Sequence, residues 1–111
     1  MDESVVRNFE QQQLSTADIL RRAKAAIGTP DRWCKDTLRD DAGRMCVLGA
    51  IKLVASGDVT ACSLANIPPW EALMEAIPGG DPITFNNAPE RTHDEVMAAF
   101  DRAIEIAETQ R

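Results

Sequence analysis

The chain has 111 residues, a length typical of one domain with one hydrophobic core. Hydrophobic residues make up 44% and charged residues 27%, which is the composition of a folded globular protein and excludes a disordered polymer. The net charge of −6 argues against sequence-independent binding to nucleic acid and to anionic membranes, since both depend on positive charge.

The cellular location is predicted from what the chain lacks and from its cysteines. The first residues include Asp2 and Glu3 without the apolar run of a secretory signal, and no run reaches the roughly 18 to 20 apolar residues that cross a bilayer. Cys34, Cys46 and Cys62 are an odd and sparse set, which favours reduced thiols. We therefore predict a cytoplasmic protein with no membrane span, in which all three cysteines are reduced and at least Cys46 is buried.

The first part of the chain contains one clear helix. Residues 1–14 are weakly patterned and predict a weakly structured N-terminal segment, followed by a single helical domain over residues 15–111. Ser15 and Asp18 have the spacing of a capping box, so a helix is expected to begin near Thr16 and to end before Gly28.

The segment after this helix is predicted to contain a turn and then a buried helix. Asp40-Asp41-Ala42-Gly43 is a turn signal, and its short flanks predict a small β-hairpin or two extended arms. The apolar run that follows, residues 47–55, is too long for a typical strand and ends at Gly57, so it predicts a buried helix. Gly49 inside that helix indicates the close approach of another backbone.

Two further helices are predicted towards the C-terminus. Pro68 opens a helix whose apolar face is formed by Trp70, Leu73, Met74 and Ile77. Residues 81–91 are predicted as a loop with a short extended piece over residues 83–85, after which Thr92 and Glu95 form a capping box for a long amphipathic helix. The predicted fold is therefore mainly α, a single-domain bundle of about four helices with a small β-hairpin or extended arms after the first main helix.

The residues suited to catalysis or metal binding are sparse. His93 is the only histidine, and its place in the first turn of the last helix is ordinary for a solvated polar residue. Together with the three cysteines it supplies the number of ligands for zinc, but no C-x-x-C or H-x₃₋₅-H spacing occurs, which favours free cysteines. We predict no catalytic residue, no metal site and no cofactor.

Two segments, residues 33–50 and residues 85–92, contain combinations of residues that helix packing alone does not require. One interpretation is structural, in which their side chains hold the region around residues 33–46 against the last helix. The other is a polar binding site around one aromatic wall. The candidate binding residues are Trp33, Arg44, Cys46, Asn86, Asn87 and Arg91.

The same two segments resemble a family of small bacterial and phage-borne proteins catalogued only as a domain of unknown function. Its members show a Trp, then an Asp-x-x-Gly-Arg-x-Cys-Leu-Leu-Gly-Ala-type stretch, then a Trp-Asn-Asp-x-Pro-x-Arg-Thr stretch that opens the last helix. Here these stretches correspond to residues 40–50 and 85–92, with Phe85 in place of the Trp and Asn87 in place of the Asp. The resemblance extends from Ile19 to Ala107 and implies a bacterial or prophage origin, but no activity.

Two functions remain open on these grounds. The first is a non-enzymatic binding or regulatory protein that acts through a protein partner or through self-association, the apolar stripe from Val96 to Ala107 being the basis for a homodimer. The second is a small enzyme or small-molecule-binding protein with a pocket between residues 33–46 and 85–92. A convergent polar pocket favours the second, and an exposed apolar surface favours the first.

Overall fold

The structure is a computed structural model that describes residues 14–57 and 67–109. The predicted N-terminal segment, apart from Leu14, therefore lies outside the described residues, as do Cys62 and the last two residues. Within the described part the chain forms five α-helices and one 3₁₀ turn, Pro30–Arg32. The helices are α1 Thr16–Ala26, α2 Val47–Ser56, α3 Pro68–Ala76, α4 Pro82–Asn87 and α5 His93–Thr109. The mainly α fold class is confirmed.

The helix starts follow the predicted caps. The backbone N–H of Asp18 donates to Ser15 Oγ over 3.0 Å at the start of α1. At the start of α5, Thr92 N–H donates to Glu95 Oε1 over 2.9 Å and Glu95 N–H donates to Thr92 Oγ1 over 3.2 Å, which is the reciprocal pair of a capping box. Helix α2 ends at Gly57, whose φ of 79° is a conformation that favours glycine.

One core joins the helices. Helix α5 packs against α1 and α3, while α2 packs against α1 on one side and α4 on another. The apolar faces of α1 and α5 both point into this core. Its fully buried side chains include Leu20, Ala23, Ile27, Ile51, Leu73, Val96, Phe100 and Ala103.

Extended arms, not a regular hairpin, connect α1 to α2. Within residues 30–46 the only β-pairings are two isolated bridges, and both use Met45, which pairs in parallel with Trp33 and antiparallel with Arg39. Each bridge joins a single pair of residues, so neither stretch forms a continuous ladder with Met45. The predicted turn is present, since Asp40 Oδ1 accepts from the N–H groups of Ala42 and Arg44 and Gly43 has a φ of 85°.

The prediction for residues 81–91 was wrong in one element. The piece expected to be extended, residues 83–85, lies inside the short helix α4. Asp81 caps this helix by accepting from the N–H groups of Ile83 and Thr84, and Pro82 occupies the first helical position, where its missing N–H costs nothing. This cap outweighs the β-propensity of Ile83 and Thr84, and it carries Asn86 and Asn87 on a helix rather than a loop.

Candidate functional site

Asn86 is a buried hydrogen-bonding centre between α4 and the extended arms. Its side chain has no exposed surface. Its Oδ1 accepts from Trp33 Nε1 over 2.7 Å and from the N–H of Val47 over 3.2 Å. Its Nδ2 donates to the carbonyl of Cys34 over 3.1 Å and to Asn87 Oδ1 over 2.9 Å. An amide offers two donors and two acceptor positions, so all the hydrogen-bonding capacity of Asn86 is used within the protein.

Asn87 and Lys35 extend the same connection. Asn87 Oδ1 also accepts from the N–H of Asp36 over 2.8 Å, at a residue whose φ of 69° is unusual for a residue other than glycine. Lys35 Nζ donates to the carbonyls of Ala88 over 2.7 Å and Pro89 over 3.0 Å. These contacts hold the arms against the end of α4.

Arg91 contacts Phe85 in α4 and Glu95 in α5. Its guanidinium carbon lies 3.7 Å from the centre of the Phe85 ring, and its Nε donates to the Phe85 carbonyl over 2.8 Å. Its Nη1 also lies 3.3 Å from Glu95 Oε2. Arg91 therefore holds a backbone carbonyl of α4 and pairs with an acid of α5.

Arg44 and Asp40 form an exposed pair at the turn. Arg44 Nε donates to Asp40 Oδ2 over 2.6 Å. Partial burial acts to raise the pKa of Asp40, but hydrogen bonds from the backbone and guanidinium of Arg44 outweigh it and lower this pKa below its ordinary value. The carboxylate of Asp40 is therefore held in its charged form by the turn that it organises.

The two described cysteines form hydrogen bonds with backbone groups, Cys34 beside the turn and Cys46 at the start of α2. Cys46 is buried, as predicted, and its Sγ accepts from the N–H of Gly49 over 3.5 Å at the start of α2. Cys34 Sγ lies 3.2 Å from the Arg44 carbonyl, and burial, with Asp40 and Cys46 nearby, raises the pKa of its thiol. Both are free cysteines. A thiol with a raised pKa is a poor nucleophile, because the thiolate is the reactive form.

Trp33 and Arg44 line an open pocket of about 520 Å³, which we call the Trp33 pocket. It lies beside the arms rather than between them and the residues at 85–92. Its lining residues are Pro30, Trp33, Cys34, Lys35, Thr37, Asp40, Arg44 and His93. The predicted candidates Asn86, Asn87, Arg91 and Cys46 are not among them, so two of the six predicted binding residues meet at this concave surface.

Sequence reasoning missed Lys35 and His93 as members of this pocket. The His93 ring lies 6.0 Å from the Trp33 ring at an angle of 57°, and His93 Nε2 lies 2.8 Å from the carbonyl of Ile27 at the end of α1. Lys35 Nζ lies 5.5 Å from the centre of the Trp33 ring. Lys35 is only two residues from Trp33 along the chain, but nothing in its spacing signals a shared pocket.

A second concave surface lies at the other end of the bundle, with a volume of about 580 Å³. We call it the α1–α3 groove. Its lining residues are Thr16, Ala17, Pro68, Glu71, Ala72, Met74, Glu75 and Ala107. Met74 was predicted to share the buried face of α3, yet its side chain is 38% exposed, whereas Trp70 and Leu73 on that face are buried. It is one of two large apolar side chains exposed in the described residues, the other being Ile83 on α4.

Residues 14–57 and 67–109 contain neither a cluster of metal-binding side chains nor a membrane-spanning helix. In this part of the chain, histidine, cysteine and acidic side chains form no group of three or more that is arranged to hold a metal ion. Cys62, one of the four zinc ligands considered from the sequence, lies outside it, so the expected absence of zinc stays a prediction. None of the helices in this part is both long and apolar enough to span a membrane.

The fold and these surfaces define a small helical protein in which a buried asparagine joins a short helix to two extended arms. The chain belongs to a family of unknown function, DUF6197, whose model matches residues 11–106. The resemblance inferred from the sequence is thereby confirmed at the level of the family. No curated protein and no solved structure matches the chain.

Proposed function

We propose that this protein is a non-enzymatic binding or regulatory protein that acts through a protein partner, which it receives in the α1–α3 groove. The observation that carries the proposal is the exposure of Met74 beside a floor of small side chains, Ala17, Ala72 and Ala107. Alanines leave room for a large apolar side chain of a partner, and methionine adapts its shape to what it contacts. Helical segments commonly dock in grooves of this kind through one or a few apolar anchors.

The charges that line the groove indicate the chemistry of the partner. Glu71 and Glu75 lie four residues apart, one turn of α3, and the described residues of the lining include no lysine or arginine. The whole chain also carries a net charge of −6. We therefore expect a partner segment with a large apolar side chain flanked by Lys or Arg, since opposite charge speeds encounter and selects the orientation of binding.

A different protein fits this groove better than a second copy of the chain. Much of the C-terminal stripe that suggested a homodimer is used inside the molecule, because Val96, Ala99, Phe100 and Ala103 are all buried in the core. Two copies would also bring two acidic chains together at an acidic groove. Self-association is therefore kept as an outcome of the test.

The second function considered from the sequence has less support in its original form. It required a pocket between residues 33–46 and 85–92, with Arg44, Asn86 and Arg91 converging on a ligand. Hydrogen bonds through Asn86 and Asn87 join these segments directly, and Arg91 contacts Phe85 and Glu95 instead.

The proposal includes a bacterial host, a mobile element such as a prophage as the source, and the cytoplasm as the location. The support for the host is the resemblance of the two motif segments to bacterial and phage-borne proteins. The support for the cytoplasm is the free state of Cys34 and Cys46 together with the sparse cysteine content.

The test uses the full chain as bait in a lysate of the native host, with Met74→Glu and Ile83→Glu as a matched pair. Both residues are exposed, so neither change removes a core side chain, but only Met74 lines the groove. A partner of the groove should bind Met74→Glu at least about tenfold more weakly and Ile83→Glu within about twofold of the parent, because a new carboxylate beside Glu71 and Glu75 must be desolvated against like charge.

Capture alone does not support the proposal. Cross-linking must place the captured protein's contact on α3, and the contacting segment must carry an apolar side chain flanked by Lys or Arg. Equal loss of capture with both variants would overturn the proposal. A partner that binds Met74→Glu as tightly as the parent protein would also overturn it. Two further results would also count against it: light scattering that shows a Met74-dependent dimer, and cross-links that place residues 1–13 or 58–66 of the same chain in the groove.

A further inference from the structure

We propose that the Trp33 pocket binds a small anion that carries a flat aromatic ring, with a carboxylate or phosphate as its charged group. This site is separate from the α1–α3 groove, and none of the described residues lines both. It involves Trp33 and Arg44, two predicted binding residues that do not line the α1–α3 groove.

The aromatic wall of the pocket is held in place before any ligand arrives. Trp33 Nε1 donates to the fully buried Asn86, which fixes the indole plane. The half-buried ring then lines the pocket, with the His93 ring beside it. A fixed aromatic surface favours stacking with a flat ring, because little side-chain freedom is lost when the ligand binds.

The charge of the pocket differs in sign from that of the protein. Among the described residues of its lining, Lys35 and Arg44 are cations and Asp40 is the only acid, which leaves an excess of one positive charge on a chain with a net charge of −6. Asp40 is already satisfied, since it accepts from the N–H groups of Ala42 and Arg44 and from Arg44 Nε. A ligand anion would therefore meet the Lys35 ammonium and the Arg44–Asp40 ion pair, which together carry one net positive charge.

Both cations retain hydrogen-bond donors for a ligand. Lys35 Nζ donates to two backbone carbonyls, and an ammonium group has three donors. Arg44 uses Nε on Asp40, and a guanidinium group has four other N–H donors. Lys35 Nζ lies over the Trp33 ring, 5.5 Å from its centre, so its third donor and the part of the ring that it leaves uncovered are presented together. That combination recognises an anionic group attached to an aromatic ring.

The experiment titrates ¹⁵N-labelled full-length protein with benzoate and with phenyl phosphate, and uses benzamide as the neutral isostere. The indole N–H signals of the two tryptophans report the site, because Trp33 lines the pocket and Trp70 lies in the core. We expect a saturable shift of the Trp33 signal with at least one anion, a much smaller shift with benzamide, and no shift of the Trp70 signal. The stronger of the two anions identifies the charged group.

Two variants test the role of the cation. Lys35→Gln removes the charge but keeps N–H donors for the carbonyls of Ala88 and Pro89, whereas Arg39→Gln removes a charge from the same segment outside the pocket lining. Lys35→Gln should weaken binding of the anion about five- to tenfold, and Arg39→Gln and Met74→Glu should change it less than about twofold.

Several results would overturn the proposal. One is the absence of a Trp33 shift with either anion at about 20 mM, a concentration that detects even millimolar affinity. Another is equal binding of benzamide and benzoate. Equal weakening by Lys35→Gln and Arg39→Gln would show general charge attraction instead of a site. The wild-type comparison of benzoate with benzamide needs no variant, so the test holds even if Lys35→Gln does not fold.

Discussion

Asn86 shows how one polar side chain fixes the position of several backbone segments. Its amide contacts Trp33, Val47, Cys34 and Asn87, which belong to one extended arm, the start of α2 and the end of α4. Buried polar groups are costly unless they are paired, so this arrangement is favourable only when every partner is in place. It thereby selects one geometry for the arms that no apolar residue of similar size would specify.

Asn86→Ala is therefore expected to be strongly destabilising. The change leaves the indole N–H of Trp33, the N–H of Val47 and the carbonyl of Cys34 without their buried partner. We expect a loss of about 3 kcal/mol in the free energy of unfolding, which for a domain of this size lowers the melting temperature by about 10 °C. Denaturant unfolding and thermal melts followed by circular dichroism measure both quantities.

Asn87→Ala is the matched control for this prediction. Asn87 is only partly buried, and its Oδ1 accepts two hydrogen bonds, from Asp36 and Asn86, so its loss should cost about 1 kcal/mol. Equal melting temperatures for the two variants would contradict the special role of Asn86. A parent-like melt of Asn86→Ala would show that these hydrogen bonds contribute no net stability.

At the level of the helix, Thr92 and Glu95 form the clearest local sequence signal for a helix start. Each side chain accepts from the other's backbone N–H, so the first turn of α5 satisfies two donors that lack helical partners. Thr92→Ala should cost about 1 kcal/mol and lower the melting temperature by several degrees. Thermal melts compared with those of the parent protein check this.

Thr109→Ala is the control on the same helix. Its hydroxyl donates to the Ile106 carbonyl at the exposed end of α5, where a side chain affects stability by less than about 0.5 kcal/mol. If Thr92→Ala melts together with Thr109→Ala, the capping box contributes nothing to stability.

Sequence reasoning succeeded where the cause of a structure is local. The caps at Ser15 and Thr92 depend on residues three positions apart, and both were predicted. Gly49 was also interpreted correctly, because a side chain there would overlap the carbonyl oxygen of Leu38 on an extended arm. In α4 the local signals conflicted: Asp81 and Pro82 favour a helix start, while Ile83 and Thr84 favour a strand, and the cap prevailed.

The rest depended on contacts that the sequence does not reveal. Trp33 and Asn86 are separated by 53 positions, and nothing in either segment states that one donates to the other. The same residue types serve a binding site or a structural connection, and only the buried position of Asn86 distinguishes these uses. Met74 illustrates the opposite case, since helical spacing placed it with buried residues of α3 although it lies at the edge of that face.

At the scale of the whole molecule, the α1–α3 groove and the Trp33 pocket differ in charge. The α1–α3 groove is lined by two carboxylates, and the Trp33 pocket has an excess of one positive charge. Between these surfaces, α1 and α5 are joined by ion pairs from Arg21 to Glu108 and from Lys24 to Asp101. These exposed pairs add little stability, so the fold depends mainly on the core, and hydrogen-bonded carboxylates at helix starts add smaller contributions.

Those carboxylates predict how stability depends on pH. Hydrogen bonds from Thr84 lower the pKa of Asp81, and the N–H of Thr92 lowers the pKa of Glu95. A carboxyl whose pKa is lower in the folded protein binds protons more readily when unfolded, so stability rises with pH in that range. The contribution is complete above the ordinary pKa of about 4 and is lost as the pH falls through the folded value. We expect a plateau in the free energy of unfolding above about pH 5 and a steep decline below pH 4.

Glu95→Gln isolates one of these groups and serves as the test. Glutamine still accepts from the N–H of Thr92 but carries no charge, so the variant should lack at neutral pH the stability that the carboxylate adds, and its acid decline should be shallower. Glu90→Gln, the same change at an exposed position in the turn before α5, should leave the decline as steep as in the parent. Urea unfolding at a series of pH values from about 2.5 to 7 gives the slope for each protein. An identical slope for the parent and Glu95→Gln would remove the Glu95 carboxylate as a source of acid sensitivity.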